Sequence, residues 1–101
     1  MTKLAKAVAQ AMGLAVHTNA TLAGELHHGD WVELSPNCWV QLNEWAYGDK
    51  LADRLIDECR ISTLDGGDHW IAAISGTWYA QHSNRKTAAL LVFCKWKGFV
   101  V

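Results

Sequence analysis

The sequence predicts an α+β domain in which three helices pack around a small, mainly antiparallel β-sheet. Two patterns predict this class: apolar residues recur at helical spacing in three segments, and short strand-like segments lie between groups of turn residues. Half of the 101 residues are apolar and six are tryptophan. A single domain spanning residues 1–101 can therefore bury a core without disulfides or metals.

The first helix is predicted over residues 3–12. Leu4, Val8 and Met12 recur at the spacing of one helix face. Gly13 follows them, and glycine commonly occupies the position just after a helix end. Residues 14–17 then fit either a strand or an extended exit from this helix.

The segment 20–42 is the least clearly patterned part of the chain. Residues 28–30 (His-Gly-Asp) predict one turn, and residues 35–37 (Ser-Pro-Asn) predict a second. Strand-like segments flank these turns at 21–27, 31–34 and 38–42. A short antiparallel meander is expected here, because a structureless loop of this length would be unusual in a compact domain.

A second helix is predicted to begin at Asp49, as its capping residue, and to run through Cys59. Its inward face would carry Leu51, Leu55 and Ile56. A hairpin should follow, with strands at 61–64 and 69–74 joined by the Asp-Gly-Gly-Asp turn at 65–68, and a further strand at 77–81 after Gly76.

A third helix is predicted over residues 86–98. Ser83 is the expected cap, and Gly98 the expected end. Lysines in the last turn support a helix rather than a buried strand, because they compensate the negative end of the helix dipole. The inward side chains should be Leu90, Leu91, Val92 and Cys94.

Several of these segments resemble small phage proteins of the NinX and phage ABA-sandwich type. The matching segments are the first helix, the middle helix at 49–59, the strand containing Trp70-Ile-Ala, and the Ala-rich last helix. Residues 14–43 lie outside the resemblance. It implies an accessory protein encoded by a phage or prophage, with an α/β layered fold.

Charge is distributed unevenly along the chain, although the net charge is only −1. All ten acidic residues lie between Glu25 and Asp68, whereas Arg85, Lys86, Lys95 and Lys97 follow with no acidic residue among them. The absence of a basic excess argues against a protein that follows a nucleic-acid backbone. The basic residues near the end instead form an alternative candidate binding face.

Cysteine and histidine spacing gives no sign of a metal, cofactor or catalytic site. The three cysteines have no paired spacing, which fits a reducing cytoplasm and not a disulfide framework. Neither zinc-ligand spacing nor a nucleophile motif occurs, so we expect no enzyme activity and no metal. The weakest alternative is a small enzyme that uses His69 or His82. No apolar segment is long enough to span a membrane.

The tryptophans suggest the function. Six in 101 residues exceeds what one small core requires, and tryptophan is a preferred anchor of protein–protein interfaces. The predicted partner-binding residues are Trp31, Glu33, Trp39 and Glu44. The predicted function is non-catalytic binding of a host protein or complex in the bacterial cytoplasm, and its specific form is counter-defence inhibition of the anti-CRISPR type. The alternative is a small-molecule or nucleotide-binding module that stacks its ligand on tryptophan.

Overall fold

The computed structural model describes residues 2–48 and 50–99, which form four helices and six strands. The predicted α+β class is confirmed. In chain order the elements are α1 (Thr2–Ala11), β1 (Val16–Leu22), β2 (Glu25–Ser35), β3 (Cys38–Gln41), α2 (Leu42–Tyr47), α3 (Leu51–Glu58), β4 (Ser62–Asp65), β5 (Trp70–Ile74), β6 (Trp78–His82) and α4 (Arg85–Lys97).

The strands form two antiparallel sheets instead of the single sheet that the sequence predicted. Sheet A has the order β1-β2-β3, and sheet B has the order β4-β5-β6. Two consecutive helices, α2 and α3, separate the two sets of strands in the chain. Helix α2 was not predicted, because only Leu42 and Ala46 mark its buried face, and its Trp45 and Tyr47 are residue types that favour strands.

Two buried clusters hold these elements together. The main core joins α1, α3, sheet B and α4, and it includes Val8, Leu55, Ile74 and Leu90. The small core lies beneath sheet A and consists of Ala5, Ala9, Val32, Leu42 and Ala46. Helix α1 contributes to both, because Leu4, Ala7 and Val8 enter the main core while its two other buried alanines enter the small one.

Sheet A differs from the predicted meander in the position of its first turn. The chain reverses at Ala23-Gly24, where both residues have positive φ (53° and 82°), and not at residues 28–30. Two positive φ values match the twist that a tight hairpin requires. His28-Gly29-Asp30 lies inside β2 at a bulge. The second predicted turn, at residues 35–37, does connect β2 to β3.

The ends of α4 confirm one prediction and correct another. Gly98 ends the helix with φ of 86°, and its N–H donates to the carbonyl oxygen of Lys95. The cap at the start is Asn84, whose Oδ1 accepts from the N–H of Thr87 at 3.0 Å, and not Ser83. Leu91, which was expected inside, is only half-buried. The capping role predicted for Asp49 falls outside the described residues.

Candidate functional site

One face of sheet A carries a cluster of aromatic rings. Val16, Val32 and Val40 pack on α1 and α2, so the side chains that alternate with them point to the opposite side of the sheet. Cross-strand pairing places these outward side chains side by side. We call this surface the Trp–His face; it consists of His17, His27, Trp31, Glu33 and Trp39.

The rings of this face contact one another. The His17 imidazole stacks on the Trp39 indole, with centroids 4.2 Å apart and planes 10° from parallel. The His27 imidazole makes edge contacts with Trp31 at 4.9 Å and with Trp39 at 5.5 Å. Mutual contact leaves each of these rings half-buried. The rings therefore form a preorganised platform whose side chains lose little freedom when a partner binds.

Glu33 lies within this platform and supplies its negative charge. Its Oε1 accepts a hydrogen bond from Trp39 Nε1 at 3.0 Å and lies 3.5 Å from His17 Nε2. His17 Nε2 is itself inaccessible to solvent and has no hydrogen-bond partner among the described residues. At 3.5 Å from the carboxylate, that nitrogen gains an ion pair only when the imidazole is protonated.

A bulge between β1 and β2 positions the far end of the face. Between the pairs Thr18–Asp30 and Ala20–His27, strand β2 contains one more residue than β1. Gly29 has φ of 85° there, and its N–H donates to Asn19 Oδ1 at 2.7 Å. A bulge increases strand twist, and the twisted strand brings the His27 ring against both indoles.

The structure brings together three of the four predicted partner-binding residues. Trp31, Glu33 and Trp39 all belong to the Trp–His face, with Trp31 Nε1 donating to the His28 carbonyl oxygen at 2.8 Å. Glu44 lies on α2, the helix that packs against the other side of the sheet. It lines a separate cleft there, together with Lys50 and Arg54.

Sequence reasoning missed the two histidines of the face. His17 pairs directly with Trp31 across β1 and β2. The hairpin turn at Ala23-Gly24 alone would place His17 opposite Asp30, and the bulge in β2 shifts the register by one residue. Both features had to be located before this pairing could be predicted. The stronger turn signal at residues 28–30 concealed it, since His-Gly-Asp favours a turn more than Ala-Gly does.

The four basic residues of the alternative face do not converge. Arg85 Nε donates to Thr63 Oγ1 at 3.0 Å, and Lys86 Nζ lies 3.9 Å from Asp53 Oδ2, both at the start of α4. At the other end, Lys95 Nζ donates to the Tyr79 carbonyl oxygen at 3.1 Å, and Lys97 Nζ lies 4.5 Å from the Trp96 ring centre. The two pairs occupy opposite ends of a helix of 13 residues.

The thiols lie in different environments. Burial raises the pKa of the fully buried Cys94 to about 11 and also raises the pKa of Cys59. Such thiols are weak nucleophiles at neutral pH, because the thiolate is the reactive form. Cys38 is exposed at the start of β3.

The two histidines considered for catalysis make local contacts. His69 Nδ1 lies 2.6 Å from Asp68 Oδ1, and this hydrogen bond lowers the pKa of the exposed Asp68 carboxyl. His82 Nδ1 accepts from the N–H of Asn84 at 3.0 Å. In residues 2–48 and 50–99, no three His, Cys, Asp or Glu side chains are grouped as metal ligands.

None of the helices in the described part of the chain is long and apolar enough to cross a membrane. Comparison with family models, curated proteins and solved structures finds no match to this chain.

Proposed function

We propose that the protein is a non-catalytic binding protein that contacts a host protein or protein complex through the Trp–His face. One observation carries the proposal: two indoles and two imidazoles contact one another on the side of sheet A that faces away from α1 and α2. Tryptophan is enriched among the residues that dominate protein–protein binding energy. These rings do not pack into the small core beneath sheet A, so they are available to anchor a partner.

The charge around the face indicates the chemistry of the partner. No lysine or arginine occurs between Lys6 and Lys50, whereas Glu33 lies within the face. A basic protein surface would complement this charge and would associate faster because of it. Arginine suits the surface in particular, since its guanidinium binds carboxylates in two-point geometry and also stacks on indole rings.

The sequence resemblance supplies the biological setting of the proposal. An accessory protein of a phage or prophage would act in the cytoplasm of its bacterial host, where the partner would belong to a defence or nuclease complex. Inhibition of the anti-CRISPR type is the specific form that we propose. Proteins that handle nucleic acids carry basic surfaces, which fits the acidic character of this face.

Affinity capture with matched tryptophan variants tests the proposal. Wild-type protein, Trp39→Ala and Trp96→Ala would each be immobilised and exposed to the same bacterial lysate. Trp96 is the control, because it is an exposed tryptophan on α4, away from sheet A. A genuine partner should be retained by wild type and Trp96→Ala and lost from Trp39→Ala. With the purified partner, Trp39→Ala should weaken binding by about 2 kcal/mol or more, as expected for a hot spot.

A charge variant separates binding from folding. Glu33→Lys leaves both indoles in place, and it should slow association with a basic partner while circular dichroism stays native. Equal retention of every captured protein by Trp39→Ala and Trp96→Ala would reject this face as the binding site. Faster association of Glu33→Lys would reject a basic partner.

A further inference from the structure

A second concave surface lies between β6 and the C-terminal half of α4. It encloses about 740 Å³ and contains no residue of the Trp–His face. Its apolar lining includes Trp78, Leu91 and Phe99, and its polar lining includes Gln81, Lys95 and the Tyr79 backbone. A volume of this size is typical of pockets for small molecules.

Lys95 gives the cleft a positive charge. Its Nζ donates to the Tyr79 carbonyl oxygen at 3.1 Å, which holds the ammonium group at the cleft. An ammonium group has three N–H donors, so this bond leaves donors for a ligand. No Asp or Glu lines the cleft in the described part of the chain, and none occurs in the sequence after Asp68. An anionic group would therefore find an attractive charge without a competing Asp or Glu side chain among the described lining residues.

Strand β6 lies at the edge of sheet B, so an added peptide strand is the other conceivable occupant. The Lys95 side chain reaches the Tyr79 carbonyl oxygen on this edge strand. A lysine at a sheet edge is a common obstacle to strand pairing. The cleft is thus better suited to a small molecule than to a peptide in β conformation.

We propose that this cleft binds a small aromatic carboxylate, with its ring against the Trp78 and Phe99 side chains and its carboxylate on the Lys95 ammonium. Half-exposed aromatic side chains provide flat apolar surfaces for a ring, and a charge-assisted hydrogen bond fixes the orientation. The site is independent of the proposed partner-binding face. Failure of one proposal leaves the other unaffected.

Two naphthalene probes that share a phenylamino group test the site. 8-Anilinonaphthalene-1-sulfonate carries one negative charge, whereas N-phenyl-1-naphthylamine is neutral. Both should bind with increased fluorescence, the anion more tightly. Lys95→Gln should weaken binding of the anionic probe by about tenfold or more, as expected for loss of a hydrogen bond to a charged group. It should leave the neutral probe unchanged, while Lys95→Arg should retain anion binding.

Lys97→Gln is the matched control, because Lys97 belongs to the same helix turn but contacts Trp96 and does not line the cleft. It should change neither affinity. Leu91→Trp should weaken both probes, since a larger side chain fills the cleft, and 2-naphthoate should displace the anionic probe from wild type. Equal effects of Lys95→Gln and Lys97→Gln, failure of 2-naphthoate to compete, or no saturable binding to the wild type would overturn the proposal.

Discussion

Trp70 in sheet B and the two tryptophans of sheet A lie on different sides of their sheets relative to the packed helices. In sheet B, Trp70 packs against the main core, together with Ile74 and the buried face of α4. In sheet A, Trp31 and Trp39 lie on the side away from the helices. The small core beneath sheet A is built instead from three alanines, a valine and a leucine.

For these tryptophans, the difference in position separates a role in stability from a role in binding a partner. A core that contains mostly alanine lets helices lie close to a sheet but buries little apolar area, and buried area determines most of the hydrophobic stabilisation. The main core is much larger and includes Leu55, Leu90 and Phe93. We therefore expect substitutions around the main core to affect folding and substitutions on the Trp–His face to affect binding.

The largest effect should come from the main core. Leu90→Ala should reduce the free energy of unfolding by about 2–5 kcal/mol, because Leu90 is fully buried and its truncation leaves a cavity. Leu91→Ala is the adjacent control; it should cost less, since Leu91 is half-buried beside an open cleft. Urea unfolding measures both values. Equal losses at the two positions would show that α4 is rotated about its axis, so that both leucines are equally buried.

A pair of tryptophans compares the two sheets directly. Trp70→Ala should destabilise by about 2 kcal/mol or more, because the indole packs against the main core. Trp39→Ala should cost about 1 kcal/mol, the scale of the aromatic contacts that it loses on the outer face. Thermal melting of both variants checks the order. A greater loss at Trp39 would mean that the outer rings are needed for folding.

A substitution in the bulge of sheet A should have a smaller effect on stability. Gly29→Ala should destabilise by roughly 1 kcal/mol, because alanine is disfavoured at a φ of 85°, although an added Cβ meets no neighbouring atom. Its NMR spectrum should change around His27 and leave sheet B unchanged. Ala23→Gly is the opposite control and should not destabilise the fold, since Ala23 already has positive φ. Changes that reach sheet B would contradict a local role for the bulge.

The smallest effect concerns the start of α4. Asn84→Ala should cost about 1 kcal/mol, because Asn84 Oδ1 caps the N–H of Thr87. Ser83→Ala should stay within about 0.5 kcal/mol, as is usual for an exposed residue without such a role. Denaturant unfolding distinguishes the two residues. A larger loss of stability for Ser83→Ala than for Asn84→Ala would show that Ser83 is the cap, as the sequence predicted.

Local sequence patterns predicted the second half of the fold well. The Asp-Gly-Gly-Asp turn, the β-favouring residues at 70–74 and the glycine after α4 each act within a few residues, so their signals are visible without knowledge of the tertiary structure. The hairpin from β4 to β5 and the following strand are therefore confirmed.

The first half was harder to predict because its signals conflict. Gly29 and Asn37 both have positive φ, but one lies at a bulge inside a strand and the other at a turn. Pairing with β1 decides between these outcomes, and pairing is not a local property. The candidate site shows the same limit. Composition and alternation predicted Trp31, Glu33 and Trp39, whereas His17 lies beside them only because of the cross-strand register.

Helix α1 has a consequence for the order of events during synthesis. Among the described helices and strands it is the first to be synthesised, yet its main-core side chains pack against α4, the last of these elements in chain order. Contacts this distant in sequence slow folding, since a long stretch of chain must be ordered to close them. Until α4 emerges, the main-core side chains of α1 lack the cover that α4 provides, and a nascent chain in that state is exposed to aggregation. A ribosome stalled before Arg85 should therefore hold a chain that proteases digest readily and chaperones recognise.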